Sequence, residues 1–245
     1  MAASSTHPIV PPAGWLEVDP TDLQAVLQFA VESFHPRLTL ASSFGLEDVA
    51  LIHALKQVHD APHVFALDTG RLPEETYECA DRIRQRYGIN IRWYFPNTAA
   101  VQTLERAKGL YSFRESVENR RECCGIRKVE PLSRALKDKA AWITGQRREQ
   151  SITRDTLEVL ETDPAHGGIW KFNPLATWTL ADVRAYVEEH NIPYNRLHDQ
   201  GYPSIGCAPC TRAVAPGEDQ RAGRWWWEAA EHKECGLHNR KDRPR

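Results

Sequence analysis

The stretch PHVFALDTGRLPEETY, residues 62–77, decides the fold of this chain. Its first part, Pro62–Leu67, is an apolar run of strand length that ends in the turn residues Asp68-Thr69-Gly70. Its second part starts a helix, because Pro73 suits the first helical position and two glutamates follow in the first turn, where acidic side chains are favoured. A buried strand followed directly by a helix is one half of a β-α-β unit.

The same alternation continues on both sides of this stretch. Upstream, helical spacing begins near Asp22, Arg37–Phe44 (RLTLASSF) is a second apolar strand, and Leu46–Gln57 has helical periodicity. Downstream, the helix runs to about Tyr87 and a third strand follows at Asn90–Phe95. Strands that alternate with helices predict an α/β fold, a parallel sheet with helices on both faces.

The second half of the chain continues this pattern less regularly. It predicts a helix over about Glu122–Lys137, a strand at Ala141–Thr144 and a further strand near Glu158–Glu161. A capping-box-like start at Thr179–Asp182 predicts a helix that ends near His190. Beyond that helix the chain is rich in turn residues.

The composition is that of a globular protein with a large core. The chain has 245 residues, of which 41% are hydrophobic and 26% charged, and a net charge of −2 does not mark a nucleic-acid binder. We see neither a signal peptide nor an apolar run of the ~18 residues that a membrane helix needs, so we expect a cytoplasmic protein. We expect residues 1–14 to be a disordered lead, 15–215 an α/β domain and 216–245 a C-terminal tail.

Three segments at predicted strand ends suit an anionic nucleotide, because ligands of α/β sheets bind there. Ser42–Gly45 places hydroxyls and backbone N–H groups before a helix, although capping that helix explains the serines equally well. Asp68, after Leu67, could accept hydrogen bonds from a ribose, but a turn role is the simpler one. Gly145–Arg154 (GQRREQSITR) carries three arginines after a strand, which favours an anion site over a solvated basic loop.

Four cysteines in two tight pairs form the strongest chemical signal. The pairs are Cys123-Cys124 and Cys207-Ala-Pro-Cys210, and a reducing compartment favours ligands or catalysts over disulfides. Adjacent cysteines chelate a single tetrahedral ion poorly, but each can bind a different iron of a cubane. The pattern therefore favours a [4Fe–4S] cluster over zinc. Zinc, a vicinal disulfide and four unrelated buried thiols are the less favoured alternatives.

The two remaining cysteines differ in their surroundings. Cys235 lies in the segment Lys233–His238 (KECGLH), where basic side chains can raise its thiolate fraction, and this favours a catalytic nucleophile over an incidental exposed thiol. Cys79 lies among apolar helix positions, which favours a buried structural thiol. The run Trp225-Trp226-Trp227 is interpreted as packing.

Together these segments resemble the adenylyl-sulfate and phosphoadenylyl-sulfate reductase family, within the adenine nucleotide alpha hydrolase-like folds. Each motif alone is weak, but jointly they are specific and span nearly the whole chain. The matching runs are SSFGLED (42–48), LDTGRLPEETY (67–77), RECCGIRKVEPL (121–132), TGQRREQSITR (144–154), GYPSIGCAPCTR (201–212), GEDQRAGRWWWE (217–228) and KECGLH (233–238). Members with both cysteine pairs resemble adenylyl-sulfate reductases, and members without them commonly use the 3′-phosphorylated nucleotide.

The resemblance implies thiol-dependent reduction of adenylyl sulfate to sulfite and AMP, in assimilatory sulfate reduction and cysteine biosynthesis. Cys235 would form an S-sulfonate, and thioredoxin or glutaredoxin would release sulfite from it. The resemblance also implies a homo-oligomer, a [4Fe–4S] cluster in the α/β domain and the catalytic cysteine in the tail. The implied substrate contacts are Ser42, Ser43, Leu67, Lys128, Gly145, Arg147, Arg212, Arg221, Arg224 and His238, and the implied cluster ligands are Cys123, Cys124, Cys207 and Cys210.

Three other functions stay open at this stage. A phosphoadenylyl-sulfate reductase would share the Cys235 chemistry but would need an extra phosphate pocket. An ATP-pyrophosphatase-type enzyme acting on tRNA would need an SGGxDS-like loop, from which Ser43–Asp48 departs. A non-enzymatic zinc-binding module predicts one zinc and no effect of Cys235→Ser. The basic extension Asn239–Arg245 departs from the usual ending of the family without removing a matched residue.

Overall fold

A computed structural model describes residues 10–151 and 154–229 of the chain. Cys235, His238 and most of the predicted N-terminal lead lie outside the described residues. The strands are β1 (Leu38–Ser42), β2 (Val64–Leu67), β3 (Ile91–Tyr94), β4 (Ala141–Ile143), β5 (Leu160–Asp163) and β6 (Ile169–Phe172). They form one sheet in the order β3-β2-β1-β4-β6-β5, parallel except for β5, which runs antiparallel to β6.

Seven α-helices flank this sheet in the described part of the chain. They are α1 (Leu23–Phe34), α2 (Leu46–Val58), α3 (Glu74–Tyr87), α4 (Thr98–Lys108), α5 (Val117–Cys124), α6 (Glu130–Leu136) and α7 (Leu180–Glu189). Local chemistry sets several of their ends: the Asp22 carboxylate accepts hydrogen bonds from two backbone N–H groups of α1, and Thr179 and Asp182 form a reciprocal capping box at α7. The predicted α/β fold is confirmed.

Three elements differ from the sequence expectation. The helix expected over Glu122–Lys137 is two α-helices, α5 and α6, joined by a π-helical segment at Gly125–Val129. Helix α4 was not expected, and Leu104 is its only buried residue. Strand β6 was not expected either, because it pairs with β5 after a turn in which Gly167 and Gly168 both have positive φ.

The core has two parts, one on each face of the sheet. Val64 and Ala66 belong to the larger cluster with α1, α2, α3 and α7, whereas Phe65, between them, packs with Leu132 and Trp142 in the smaller one. This alternation along β2 is what a strand covered on both faces requires. In the described residues, no helix combines the length and the apolar character that crossing a membrane takes.

Candidate active site

A cleft of about 250 Å³ lies at the carboxyl ends of the central strands β1, β2 and β4. This is where α/β sheets bind ligands. Seven of the ten predicted substrate contacts line it: Ser42, Ser43, Leu67, Lys128, Gly145, Arg221 and Arg224. Arg147 and Arg212 do not line it, and His238 lies outside the described residues.

The turn between β1 and α2 forms part of the cleft surface. Phe44 takes a left-handed conformation with φ 59°, and Gly45 then precedes the first turn of α2. The turn is held by the serines, since Ser42 Oγ accepts from Phe44 N at 3.1 Å and Ser43 Oγ donates to Asp48 Oδ2 at 2.8 Å. Their roles in the turn and at the cleft surface are therefore compatible.

Asp48 is a buried carboxyl at this turn. Burial raises its pKa to about 6, although hydrogen bonds from the backbone N–H and hydroxyl of Ser43 oppose the shift. Gly145, at the end of β4, passes directly over it: a Cβ atom at this position would lie 2.5 Å from Asp48 Oδ1 and 2.8 Å from Glu47 Cβ. The absence of a side chain at Gly145 is thus required by close packing against α2.

The arginine of the GQRREQSITR segment that lines the cleft is Arg154, not Arg147. The Arg147 side chain is 1% exposed, and its guanidinium pairs with Glu47 at 2.8 Å and Glu149 at 2.7 Å. Arg154 lines the cleft together with Gln150, to whose Oε1 it donates. The predicted segment does line the cleft, but the wrong arginine was chosen. The sequence does not show that Arg147 is paired with the carboxylates of Glu47 and Glu149.

Arg212 holds a loop rather than facing the cleft. Its guanidinium forms a two-point ion pair with Glu218, at 2.9 Å for each contact. Its backbone N–H donates to Gly223 O, next to the isolated β-bridge between Thr211 and Arg224. These contacts fold the segment back on itself and bring Arg221 and Arg224 to the cleft.

Arg224 is a buried cation at the edge of the cleft. Its Nη1 lies 3.2 Å from the carbonyl oxygen of Ile205, and its guanidinium lies 4.8 Å from the ring centroid of Trp225. A Cβ atom on Gly206 would be 2.2 Å from Arg224 Nη2, so only glycine at position 206 leaves room for this guanidinium.

The four paired cysteines surround one small cavity beside the cleft. Cys123 and Cys124, at the end of α5, meet Cys207 and Cys210, from a turn more than eighty residues later. No cysteine in the described part of the chain forms a disulfide. Five cationic side chains line the same cavity: Arg71, Arg120, Arg127, Lys128 and Arg224. Three residues, Lys128, Arg224 and Trp225, line both the cavity and the cleft.

The charges around the cavity act on the thiols unequally. Burial by itself would raise the pKa of Cys207, but Lys128 and a hydrogen bond with Thr69, at 3.2 Å, outweigh it and the pKa is lowered. Burial raises the pKa of Cys210 to about 12. Between residues 10 and 229, without the two undescribed positions 152 and 153, no three His, Cys, Asp or Glu side chains converge as the ligands of a single metal ion.

A buried ion pair joins the cavity to the last described residues. The Arg120 guanidinium binds the Glu228 carboxylate through two hydrogen bonds, at 2.8 and 2.9 Å, with both side chains at least 96% buried. Arg120 also lies 4.7 Å from the ring centroid of Trp225, which is 1% exposed. The packing role expected for the tryptophans is therefore found at Trp225.

Other expected roles can be compared directly with the structure. Cys79 is completely buried, and burial raises its pKa to about 12, as expected of a structural thiol. Asp68 Oδ1 accepts from Gly70 N at 2.7 Å, which is the turn role, and from the Tyr77 hydroxyl at 3.0 Å. Gln146, three residues beyond β4, lines the cleft but was not predicted, because a lone glutamine gives no specific signal.

The chain belongs to the phosphoadenosine phosphosulfate reductase domain family, whose model matches residues 37–213. It is 55% identical to the adenosine 5′-phosphosulfate reductase of Burkholderia cepacia over 83% of this chain and 81% of that one. The corresponding enzyme of Allochromatium vinosum is 50% identical, over 85% of this chain and 81% of its own length. The chloroplastic 5′-adenylylsulfate reductase 3 of Arabidopsis thaliana is 48% identical over 87% of this chain but only 48% of its own length.

Solved structures agree with this assignment. The phosphoadenylyl-sulfate reductase of Candida auris, in a phosphate complex, superposes with a TM-score of 0.67 at 30% identity, over 81% of this chain and 92% of that one. An FMN adenylyltransferase of Candida glabrata has a TM-score of 0.55 at 13% identity, over 88% of this chain and 73% of that one, and is similar in fold alone.

Proposed function

We propose that this chain is a thiol-dependent adenosine 5′-phosphosulfate reductase, which produces sulfite and AMP in sulfate assimilation and cysteine biosynthesis. One observation carries the proposal: the cleft at the strand ends shares Lys128, Arg224 and Trp225 with the four-cysteine cavity. A nucleotide in the cleft would therefore lie beside the thiols. The bacterial relatives that share about half of its sequence carry the same activity in their names.

The substrate is a nucleotide with a strongly anionic end, and the cleft has a different surface for each part. We place the adenosine by the end of β2, where Leu67 and Trp93 line the cleft. The phosphosulfate then lies over the Ser42–Gly45 turn and the N-terminus of α2. Four cationic side chains line the cleft and can balance its charge: Lys128, Arg154, Arg221 and Arg224.

The nucleophile in this proposal is Cys235, which lies outside the described residues. Its thiolate attacks the sulfur of the substrate, a sulfur–sulfur bond forms, and the bond between that sulfur and the phosphate oxygen breaks. AMP leaves with the electron pair of the broken bond, and Cys235 carries an S-sulfonate. An anion attacking an anion requires positive charge near the reacting sulfur, which is the role we assign to Lys128 and the cleft arginines.

A dithiol protein completes the reaction. One of its thiolates attacks the Cys235 sulfur and displaces sulfite, and its second thiol resolves the mixed disulfide, so that the reductant leaves oxidised and Cys235 leaves reduced. We propose thioredoxin, or else glutaredoxin, as this partner. We also propose that the enzyme works in the cytoplasm as a homo-oligomer.

We assign a [4Fe–4S] cluster to the four-cysteine cavity. Cys123, Cys124, Cys207 and Cys210 supply four thiolates, the usual ligands of such a cluster, and the surrounding cations suit its negative charge. When bound, the cluster would supply an electrostatic and structural centre that joins α5 to the Cys207–Cys210 turn, beside Lys128. The electrons for the reaction come from thiols.

The test is an intact-mass measurement on protein purified without air. Adenosine 5′-phosphosulfate, added without reductant, should increase the mass by one SO₃ unit, about 80 Da, in the wild type and in Cys79→Ser but not in Cys235→Ser. Thioredoxin should remove this adduct. An adduct only with the 3′-phosphorylated nucleotide would assign the sister activity, and no adduct with either would refute the reductase proposal.

A further inference from the structure

A buried polar network lies next to the end of β4 and includes two residues of the cleft. Thr144 and Gln146, on either side of Gly145, both line the cleft and are each 3% exposed. The network connects them through residues of the β5–β6 hairpin and the residue that follows it. The members, in order, are Thr144, Asn173, Glu161, Lys171 and Gln146, and each is at least 91% buried.

The hydrogen bonds of this network are continuous. Thr144 Oγ1 donates to Asn173 Oδ1 at 2.5 Å, and Asn173 Nδ2 donates to Glu161 Oε1 at 3.3 Å. The same Glu161 oxygen lies 3.1 Å from Lys171 Nζ. Lys171 Nζ then donates to Gln146 Oε1 at 2.5 Å. One buried ion pair therefore reaches both cleft residues that flank Gly145.

Such a pair contributes little net stability. Desolvation of two charges roughly cancels their attraction, and an apolar pair of similar size is often as stable. What a fully satisfied buried network does provide is a single geometry for the groups that it binds. The group bound here is the side-chain amide of Gln146.

The Lys171 ammonium fixes the orientation of the Gln146 side-chain amide. An ammonium can only donate, so it must hold the Gln146 oxygen, and the Nε2 group is at the other end of the amide. Among the described residues, none accepts a hydrogen bond from this Nε2, and it is not one of the fully buried polar atoms without a partner. The accessible side of Gln146 is the cleft that it lines.

We propose that Gln146 donates a hydrogen bond from Nε2 to an anionic oxygen of the substrate's phosphosulfate group, and that Lys171 is the positioning residue that holds the amide in this orientation. The inference rests on the proposed function, because it takes an anionic nucleotide as the ligand of the cleft. It adds a neutral, fixed donor to the cationic side chains already placed there.

The decisive variant replaces the Nε2 donor of Gln146 with an oxygen acceptor. Gln146→Glu keeps the size of the side chain and keeps an oxygen for Lys171, but places a second oxygen where the Nε2 donor was. We expect the dissociation constants of AMP and of adenosine 5′-phosphosulfate to rise about tenfold or more, because a charge-assisted hydrogen bond becomes a repulsion. Adenosine, which lacks the anionic group, should bind within about twofold of the wild type. The matched control is Gln57→Glu, which adds the same charge at an exposed position of α2.

Calorimetric titration of each variant with AMP, adenosine 5′-phosphosulfate and adenosine separates the outcomes. Wild-type affinity for AMP in Gln146→Glu would overturn the contact, and so would an equal loss for adenosine, since the effect would then not concern the anion. If the wild type itself binds none of these nucleotides, the proposed function fails, and this result is distinct from failure of the Gln146 contact.

The positioning role of Lys171 needs its own pair of variants. Lys171→Met removes the cation that pairs with Glu161, so both the melting temperature and the AMP affinity should fall. In Lys171→Met Glu161→Gln the buried charges are both removed, and we expect the melting temperature to recover while the AMP dissociation constant stays about fivefold above the wild type. Recovery of both quantities in the double variant would show that Lys171 acts on stability alone and would overturn its positioning role.

Discussion

The two walls of the cleft are built by different means. The β4 wall is held by hydrogen bonds among glutamine, arginine, lysine and glutamate side chains, whereas the cysteine wall is built around four thiols and the cations beside them. The β4 wall comprises Thr144, Gly145, Gln146, Gln150 and Arg154, which line the cleft. The cysteine wall comprises Lys128, Arg224 and Trp225, which line both the cleft and the cysteine cavity, together with Cys123, Cys124, Cys207 and Cys210, which line the cavity alone.

The arginines beside the two walls differ in what they bind. Beside the β4 wall, Arg147 is neutralised by Glu47 and Glu149 and serves as structure. At the cysteine wall, Arg224 binds backbone oxygen and packs on Trp225, where its charge faces thiols and cleft alike. We infer that the β4 wall forms with the fold, whereas the cysteine wall depends on what its thiols bind. The following predictions test that separation.

The largest effect should come from removing one cysteine of the cysteine wall. Cys207→Ser is expected to lose bound iron and to reduce sulfite production roughly 1000-fold, because one cluster ligand is missing. The AMP dissociation constant should rise far less, by about tenfold at most, because only Lys128 and Arg224 of the four cleft cations belong to the cysteine wall and the β4 wall needs no cluster. Iron analysis, turnover assays and calorimetry measure these quantities.

Cys79→Ser is the matched control, since Cys79 is buried in the larger core cluster and does not line the cysteine cavity, so this variant should keep the bound iron. A loss of AMP binding in Cys207→Ser as large as the loss of turnover would show that the two walls form one unit and that their separation is wrong.

The next largest effect should come from the ion pair between Arg120, which lines the cysteine cavity, and Glu228. Glu228→Gln leaves the Arg120 guanidinium buried with a neutral partner, and we expect the free energy of unfolding to fall by about 3 kcal/mol. The double variant Arg120→Met Glu228→Met, which removes both charges, should lose less. Urea unfolding followed by fluorescence checks both, and equal losses in the two variants would contradict the assignment to an uncompensated charge.

The third effect is a dependence of stability on pH that arises at Asp48, in the turn beside the β4 wall. Burial raises the pKa of Asp48 from 3.8 to about 6, so the folded state holds this proton more tightly than the unfolded chain does. The contribution of Asp48 to the free energy of unfolding should therefore fall by about 2 kcal/mol as the pH rises from about 4 to about 6, and stay lower above that.

Urea unfolding of the wild type and of Asp48→Asn between pH 4.5 and 7.5 measures this contribution, because the asparagine has no proton to lose. The stability of the wild type relative to the variant should decrease through this range. Parallel pH profiles for the two proteins would refute the raised pKa.

The smallest effects should come from one glycine near each wall. Gly145→Ala places a Cβ atom against Asp48 and Glu47, and we expect a loss of about 1–2 kcal/mol in the free energy of unfolding together with weaker AMP binding. Gly125→Ala, next to Cys124, meets no atom within 4 Å and has helical backbone angles, so it should be neutral or stabilising by up to about 1 kcal/mol. Similar losses in both variants, measured by thermal unfolding, would show that close packing is not particular to the β4 wall.

The parts of the fold that were predicted from the sequence depend on local interactions. The strand and helix at 62–77, the start of α1 after Asp22 and the capping box at Thr179 were all read from residues within a few positions of one another. Helix α4 and strand β6 were missed because their identity depends on contacts with other elements. Helix α4 buries only Leu104, so burial in a core does little to distinguish it, and a strand that pairs as a hairpin needs its neighbour.

The sequence by itself determined the class of fold and the residue types of the site, because alternating strands and helices and closely spaced cysteines are local patterns. Only the tertiary structure decided which residues face one another. The Arg147 guanidinium is held away from the cleft by Glu47, 100 positions away, and the two cysteine pairs meet because α5 and the Cys207–Cys210 turn line the same cavity. Ion pairs and cavities of this kind depend on distances between segments that are far apart in the chain, and local periodicity carries no information about those distances.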